Sequence, residues 1–305
     1  MTASAPPPAA TPAVPPATSM THQHLLAVLS TRVASLKREH RSLRVCDMGC
    51  GDGHLLGYLA RALPLLHPEV AFDFAGVDVS DSGVQATGFF QRTVAHLSGA
   101  APGTDWAERL HLIRSTDPWP FEDGALHLVV SNQVLEHVGD HRHFFTELFR
   151  TGANGAFSTH LFPIAHNWWE GHLHMPFAHW FGQHEQRRRY IAWMSRMGIG
   201  GFRAHRDAMG MTLPTYAEEH ADYIQFMTNY RTWDELLALA KGAGLRADFQ
   251  WTERYYLEKL RQRLGRAPQT AYAPASALGS LASWLIFKRL ASVTLNTEKR
   301  QSYAR

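Results

Sequence analysis

Residues 45–56 read VCDMGCGDGHLL and place three glycines within five positions, directly after a short apolar run. The apolar run predicts a buried strand, and the residues after the turn predict a helix. A glycine-rich turn between a strand and a helix allows a ligand to approach the backbone closely. A P-loop is excluded because no Gly-Lys-Ser/Thr follows, and a dinucleotide fingerprint is disfavoured because His54 replaces its third glycine.

Strand and helix patterns alternate from residue 43 to residue 162, which favours a parallel sheet with helices on both faces. The predicted strands are LRVCDMG, AFDFAGVDVSD, RLHLIRS, ALHLVVSN and GAFSTHLFP. The helix HLLGYLARALPLL, which follows the glycine turn, is expected to break near Pro64 and Pro68. The alternation stops after Pro163 and resumes with a helix in TWDELLALAKGAGL and strands in RADFQW and ASWLIFKR. We therefore predict an α/β fold: a doubly wound, mostly parallel seven-stranded sheet with a helical insertion after the fifth strand.

Composition and pattern divide the chain into five segments. These are a disordered Pro/Ala-rich leader (1–21), the cofactor-binding part of the domain (22–162), an acceptor-binding insertion (163–230) with helices near 184–197 and 215–230, the completion of the sheet (231–295) and a solvated tail (296–305). Ligands of such sheets bind beyond the carboxyl ends of the strands. The insertion is therefore expected to cover that edge.

The bulk properties exclude several classes of function. A net charge of +3 over 305 residues argues against a nucleic-acid partner. The two cysteines, Cys46 and Cys50, suggest neither a disulfide framework nor a zinc site, and no secretory signal is recognisable, so a cytoplasmic location is expected. The apolar stretch SALGSLASWLIF ends before Lys288 and is too short to span a membrane. Peripheral membrane contact and the oligomeric state stay open.

Two aspartates end the first two predicted strands, and each suits a different polar group. Asp78 could accept both hydroxyls of a ribose, and Asp47 suits an ammonium group better than a phosphate. Asn132 and His160 fall at the ends of the fourth and fifth strands. These side chains are therefore expected to share one ligand-binding edge.

Four stretches resemble the successive motifs of class I S-adenosylmethionine-dependent methyltransferases: VCDMGCGDG, FAGVDVSD, PWPFEDGALHLVVSNQVLEHV and ELFRTGANGAFSTH. The resemblance implies S-adenosylmethionine as the cofactor, with its methionine part on the glycine turn, its ribose on the acid after the second strand and its adenine beside the loop after the third. Ser115 stands where the family often has an acid for the adenine amino group. The implied cofactor-binding residues are Asp47, Gly49, Cys50, Gly51, Gly53, Asp78, Val79, Thr116, Asp117, Asn132 and Gln133.

Methyl transfer to a hydroxyl requires a group that accepts the hydroxyl proton. In related small-molecule methyltransferases a histidine after the fourth strand and a polar residue after the fifth share this work, and His137 and His160 hold those positions here. Each also has a structural interpretation, as a packing residue and as a hydrogen-bonded histidine near the sheet edge. Glu136 could line the acceptor pocket or act as an N-terminal helix acid.

The start of the insertion is rich in imidazole and indole, with six histidines and three tryptophans in residues 160–184. Tryptophan faces suit sugar rings, and histidines supply hydrogen bonds. A metal site on His172 and His174, with His166 or Glu170 nearby, is not predicted because hard ions prefer carboxylates. The candidate acceptor-binding residues are Glu136, His166, Trp169, Glu170, His172 and His174.

These features predict O-methylation of a sugar, a glycan precursor or another polar small molecule. The stretch WEGHLHMPFAHW also resembles insertions in methyltransferases of bacterial surface-polysaccharide synthesis. The alternatives are N- or C-methylation of a natural-product or quinone-type acceptor, a non-catalytic cofactor-binding scaffold and an NAD-linked oxidoreductase.

Overall fold

The computed structural model describes residues 14–81, 88–273, 279, 281, 285–290 and 292–300. Its strands are β1 (Ser42–Met48), β2 (Ala71–Val79), β3 (Leu110–Ile113), β4 (Leu126–Asn132), β5 (Gly152–Pro163), β6 (Trp169–Glu170), β7 (Met175–Pro176), β8 (Leu245–Asp248) and β9 (Ser292–Lys299). Its α-helices are α1 (Met20–Leu36), α2 (His54–Leu66), α3 (Phe89–Ala100), α4 (Trp106–Arg109), α5 (His141–Thr151), α6 (His184–Arg196), α7 (Phe202–Met209), α8 (Leu213–Phe226), α9 (Trp233–Gly242) and α10 (Thr252–Arg263).

Seven strands form the central sheet in the order β3-β2-β1-β4-β5-β9-β8. The pairs among β1 to β5 are parallel, and β9 runs antiparallel to both of its neighbours. The strand order reverses at β1, so β1, β2 and β4 end side by side. This arrangement confirms the predicted fold class and creates a ligand-binding crevice at the carboxyl edge.

Helices cover both faces of the sheet because successive strand residues point to opposite sides. Val45 packs into a core shared with α1 and α2, whereas Cys46 packs into a second core shared with α5 and α9. Leu128 and Val129 divide in the same way on β4. The central residues of β1 and β4 are thus buried on one face of the sheet or the other, as the continuous apolar runs predicted.

The insertion between β5 and α9 contains more than the two predicted helices. Helices α6 and α8 match the predictions near 184–197 and 215–230, while α7 and the two-stranded β6–β7 hairpin were not predicted. The insertion has its own apolar core, centred on Leu173, Ile191 and Tyr216. It therefore packs as a substructure beside the sheet.

The prediction for the last strand was wrong. Its residues 282–284 lie outside the described residues, and 287–289 form a single 3₁₀ turn. The last strand is β9, so residues 296–299 belong to the sheet and not to a solvated tail. Polar composition misled the prediction, because Thr294, Asn296 and Thr297 are buried with partners on His24, Asp248 and Ser158.

Two other boundaries also differ. Helix α2 continues through Pro64 and ends at Leu66, just before Pro68, so Pro64 does not break it. Helix α1 begins at Met20, within the predicted leader, because the Ser19 hydroxyl accepts a hydrogen bond from the His22 backbone at 3.2 Å. Residues 1–13 of the leader lie outside the described residues.

No helix in the described part of the chain has the length and apolar character to span a membrane.

Candidate active site

The glycine turn adopts a backbone conformation that side chains disfavour. Gly49, Gly51 and Gly53 have φ angles of 72°, 49° and 77°. A Cβ on Gly49 would lie 2.4 Å from a Val134 methyl carbon, and one on Gly53 would lie 2.9 Å from Leu97. Glycine at position 49 therefore keeps the turn in contact with the segment after β4, and glycine at 53 lets α3 approach.

A cavity of about 600 Å³ lies at the carboxyl ends of β1, β2 and β4. Nine of the eleven predicted cofactor-binding residues line it: Asp47, Gly49, Cys50, Gly51, Asp78, Val79, Thr116, Asn132 and Gln133. Gly53 is not among the lining residues and serves helix packing instead. Other side chains also line the cavity, although no sequence motif pointed to them: His22, Trp119, His143 and Phe144.

Asp47 is a buried carboxylate at the end of β1, and neither of its oxygens has a hydrogen-bond partner among the described residues. Burial raises its pKa well above the ordinary value, and the nearby charge of Asp78 adds to this effect. A cationic ligand group would relieve both contributions. Asp47 is therefore suited to the ammonium group of an amino acid.

Asp78 is held in place by the glycine turn. The Gly51 N–H donates to its Oδ2 at 2.6 Å, and the Val79 N–H donates to its Oδ1 at 2.8 Å. Burial raises the pKa of Asp78, while these two hydrogen bonds oppose the rise. Each carboxylate oxygen keeps a further lone pair, so the fixed side chain can still accept hydrogen bonds from ligand hydroxyls.

The loop after β3 contributes Ser115 and Thr116 to the cavity wall but not the side chain of Asp117. The Asp117 carboxylate instead accepts a hydrogen bond from the Arg114 N–H at 2.9 Å, which closes a local turn. The Ser115 N–H donates to Asp81 at 2.8 Å. The structure thus places Asp117 away from the cofactor cavity, because a loop aspartate pairs readily with a backbone N–H close by in sequence.

The end of β4 carries Asn132 and Gln133. The Oδ1 atom of Asn132 is buried and has no hydrogen-bond partner in the part of the chain that the structure describes. Gln133 has a φ of 57°, and its backbone N–H donates to the Leu161 carbonyl at 2.8 Å. A non-glycine residue in this conformation stores strain, which is common where backbone is held at a ligand site.

His137 lies on the same cavity wall, on the single 3₁₀ turn after β4. Its Nδ1–H donates to the Met227 carbonyl at 2.6 Å, which fixes the tautomer and leaves the lone pair on Nε2. Burial lowers the pKa of His137 below its ordinary value. The neutral ring is therefore a proton acceptor at pH 7.

His160 is completely buried within β5 and does not line the cavity. Its two ring nitrogens pair with the hydroxyls of Ser131 and Ser158, each at 2.8 Å. Burial lowers its pKa to about 3. This placement removes His160 from the candidate catalytic bases and supports the alternative of a hydrogen-bonded structural histidine.

Only part of the predicted acceptor-binding set comes together. Glu170 is buried and accepts hydrogen bonds from His172 Nδ1, the Tyr230 hydroxyl and the Leu173 N–H, at 2.7, 2.7 and 2.6 Å. Burial alone would raise the pKa of Glu170, but these hydrogen bonds lower it. The His172 ring lies 5.3 Å from the His137 ring, so the insertion reaches the cavity wall at this point.

Glu136 joins this group, whereas three predicted residues do not. Glu136 is buried with no hydrogen-bond partner for its oxygens among the described residues, and burial raises its pKa to about 8. His166, Trp169 and His174 are exposed on the insertion surface. Tyr230 and the Met227 carbonyl also belong to the site, and no sequence motif identified them.

The cavity residues fit S-adenosylmethionine. The unpartnered carboxylate of Asp47 matches the amino group of its methionine part, and the glycine turn leaves space at the backbone that a Cβ would fill. Asp78 lies where hydroxyls of the ribose can be accepted. The donor set at this edge therefore suits a ligand that carries an ammonium group and a ribose, without phosphates.

Comparison with solved structures finds several similar chains. YcgJ protein from Bacillus subtilis is 14% identical with a TM-score of 0.44, over 90% of this chain and 99% of that one. Phosphoethanolamine N-methyltransferase 2 from Haemonchus contortus is 15% identical with a TM-score of 0.44, over 88% of this chain and 52% of that one. Geranyl diphosphate C-methyltransferase from Streptomyces coelicolor is 14% identical with a TM-score of 0.41, over 88% of this chain and 76% of that one.

A search of curated proteins finds no match to this sequence. The sequence profile of the methyltransferase domain, however, matches residues 21–246, which is most of the chain. The match includes the glycine turn, Asp78, the segment after β4 and the whole insertion. The chain belongs to this family, and it is a class I methyltransferase that uses S-adenosylmethionine.

Proposed function

We propose that this methyltransferase methylates an oxygen of a polar small molecule, such as a sugar or a glycan precursor, and that His137 accepts the hydroxyl proton. The observation that carries the proposal is the hydrogen bond from His137 Nδ1–H to the Met227 carbonyl at 2.6 Å. Because Nδ1 carries the proton, the basic lone pair of His137 is on Nε2, and His137 lines the cofactor cavity. Oxygen acceptors need such a base, whereas a neutral amine acceptor does not.

The residues of this chain divide the work between binding and proton transfer. S-adenosylmethionine, when bound, supplies an electrophilic methyl group. Asp47 would hold its amino group and Asp78 its ribose hydroxyls, which fixes the cofactor relative to the acceptor. Nε2 of His137 would take the proton from the acceptor hydroxyl, because burial keeps the pKa of this imidazole low and the ring neutral.

The proposal of a sugar-like acceptor is supported by a second, more open hollow on the insertion. Its volume is about 580 Å³, and its lining includes His166, His179, Trp180 and Tyr230. An exposed indole beside imidazoles can contact the apolar face of a sugar ring and hydrogen-bond to its hydroxyls. With this acceptor class we also propose a cytoplasmic enzyme of surface-polysaccharide synthesis.

The test is conversion of S-adenosylmethionine to S-adenosylhomocysteine with a panel of nucleotide sugars, free sugars and amine or quinone-type acceptors. His137→Gln should lower kcat with the accepted hydroxyl substrate by about 10²–10⁴-fold. The matched control is His143→Gln, because His143 also lines the cavity but donates its Nε2–H to the Asp117 carbonyl. The control variant should keep kcat within a few-fold.

The pH profile supplies an independent readout. A neutral His137 is required, and burial lowers its pKa, so kcat/KM should fall only on the acid side of its ordinary value of 6.5. This acid limb should be absent in His137→Gln. Full turnover by that variant would favour base-free N- or C-methylation, and cofactor binding without turnover on any acceptor would favour a scaffold.

A further inference from the structure

We infer that Glu136, His137 and His172 form a binding site for a divalent transition-metal ion of borderline softness, such as zinc. One ligand atom from each of these residues lies within 4.8 Å of the other two. Two come from the turn after β4, and the third comes from the loop between β6 and β7. This inference does not depend on the identity of the methyl acceptor.

The buried carboxylate of Glu136 supplies the first argument. It is 1% exposed, and neither oxygen has a hydrogen-bond partner in the described part of the chain. A buried carboxylate without a partner is strongly unfavourable, so such a group takes up a proton, pairs with a cation or coordinates a metal. No arginine or lysine forms an ion pair with Glu136 among the described residues.

The two imidazoles are oriented as metal-ligating histidines usually are. His137 donates its Nδ1–H to the Met227 carbonyl at 2.6 Å, and His172 donates its Nδ1–H to the Glu170 carboxylate at 2.7 Å. A metal-bound histidine nearly always donates its other ring N–H to a carbonyl or a carboxylate. Both Nε2 lone pairs are therefore left to ligate, and their tautomers are fixed in advance.

Glu170 is itself held so that it can orient His172. It is 1% exposed and also accepts from the Tyr230 hydroxyl at 2.7 Å and the Leu173 N–H at 2.6 Å. With Glu136 it places two carboxylates around the proposed ion position. The paired negative charges offset the two positive charges of the ion, while only Glu136 would bind it directly.

The ligand set indicates the class of ion. Two imidazole nitrogens and one carboxylate oxygen suit zinc or another first-row transition metal, whereas magnesium and calcium prefer oxygen ligands. Bonds of about 2.1 Å place the ligand atoms about 3.4 Å apart in a tetrahedron, a spacing compatible with three atoms that lie within 4.8 Å of one another. Three protein ligands leave a coordination position open.

The position of the ion bears on the proposed function. His137 also lines the cofactor cavity, so a bound ion would lie at the end of the cavity next to the insertion. Ligation and proton acceptance use the same Nε2 lone pair and exclude each other. In the metal-bound protein an acceptor hydroxyl could occupy the open position, where the ion would make it more acidic.

The experiment measures metal binding to the full-length protein without methyl transfer. The protein is stripped with EDTA, titrated with Zn²⁺ in a calorimeter against a competing chelator, and assayed for bound zinc by elemental analysis. We expect one tight equivalent, with affinity at least about a hundredfold lower in His172→Ala and in Glu136→Gln. Glu170→Gln should weaken binding by about 10–100-fold, as expected for a residue that orients a ligand.

His184→Ala is the matched control. His184, Glu218 and Asp222 also bring three ligand atoms within 4.8 Å, but the two carboxylates are exposed and already paired with His184 or Arg188. This variant should keep the tight equivalent. Loss of that equivalent from His184→Ala but not from His172→Ala would overturn the assignment, as would a stripped wild-type protein that binds no zinc tightly.

Two further readouts guard against a folding defect. Binding of S-adenosylhomocysteine to Glu136→Gln should stay within a few-fold of wild type, because Glu136 does not line the cofactor cavity. Co²⁺ added to the stripped wild-type protein should produce visible d–d bands of nitrogen and oxygen ligation that Zn²⁺ abolishes. Bands typical of hexaaqua cobalt would contradict the site without the use of any variant. Because no acceptor is needed, these results are read separately from the methyl-transfer assay. A tight zinc equivalent would exclude His137 as the proton acceptor in the metal-bound protein without excluding O-methylation itself.

Discussion

The cofactor cavity and the acceptor side are built in opposite ways. The cavity takes most of its predicted ligand residues from the ends of adjacent parallel strands, where the fold itself brings Asp47, Asp78 and Asn132 together. The acceptor side combines the turn after β4 with a hairpin loop and a residue beyond α8. A site that follows from sheet topology is therefore visible in the sequence, whereas one assembled by an insertion is not.

The largest effect is expected at the glycine turn. Gly49→Ala should lower the free energy of unfolding by more than about 3 kcal/mol and abolish measurable cofactor binding, since the new Cβ would clash with Val134 in a strained backbone. The measurements are chemical denaturation and calorimetric titration. Gly124→Ala is the control, because Gly124 has the same φ of 72° with open space around it.

A loss of only about 1 kcal/mol is expected for the control variant, from backbone strain alone. Equal losses in the two variants would show that the turn does not depend on contact with Val134. The cavity would then be less tightly coupled to the segment after β4 than we describe.

Asp78→Ala comes next, with an effect on binding more than on folding. Loss of the ribose hydrogen bonds should cost roughly 1.5–3 kcal/mol, a ten- to hundredfold loss of S-adenosylmethionine affinity. Calorimetric titration measures it directly. Asp81→Ala is the comparison, because Asp81 lies three residues further on and does not itself line the cavity, although it accepts a hydrogen bond from the N–H of Ser115 in the wall. Unchanged binding by Asp78→Ala would contradict the assignment of the cavity.

The pH dependence of stability tests the reassignment of His160. Its folded-state pKa is lowered to about 3 from 6.5. Between these pH values the unfolded chain therefore binds a proton at His160 that the folded chain does not bind. This residue therefore makes its full contribution above pH 6.5 and loses about 1.4 kcal/mol per pH unit below it. Between pH 6.5 and 5, stability should fall less steeply with decreasing pH for His160→Gln than for the wild type. Identical slopes would contradict a His160 that is held neutral by burial.

Tyr230→Phe should have the smallest effect and should sharpen the contrast between the two sides. It removes one of three hydrogen bonds to Glu170, which should lower stability by about 1 kcal/mol. Cofactor affinity should not change, because Tyr230 does not line the cofactor cavity. A loss of S-adenosylmethionine binding comparable to that of Asp78→Ala would show that the two sides are not separable.

The sequence predicted the sheet and most of the cofactor cavity because those features are local. Apolar periodicity identifies β1, β2 and β4, and their carboxyl ends follow from parallel topology. It did not predict β9, because the polar side chains of Asn296 and Thr297 suggest a solvated tail, whereas both are buried against partners that are distant in sequence. The sequence also predicted Asp117 as a cofactor-binding residue. In the structure its carboxylate accepts a hydrogen bond from the Arg114 N–H instead.

The acceptor side resisted prediction for a related reason. His166, Trp169, Glu170, His172 and His174 look equivalent in the sequence, since each is a polar or aromatic residue on one short stretch. Only the hairpin geometry buries Glu170 and turns His172 toward His137, while the other three face solvent. Which of these residues reach the site depends on contacts between residues more than 30 positions apart in the chain, such as the contact of His137 with His172.

The antiparallel strand β9 has a consequence for biosynthesis. It stands between β5 and β8, and β8 has no other neighbour in the described sheet. A ribosome therefore completes both flanking strands before it makes the strand that joins them. Until then the nascent chain exposes the edge of β5 and leaves β8 unpaired, which are the features that attract chaperones or a second copy of the chain. A premature stop ahead of Ser292 would make that exposure permanent, while leaving every cofactor-binding residue already translated.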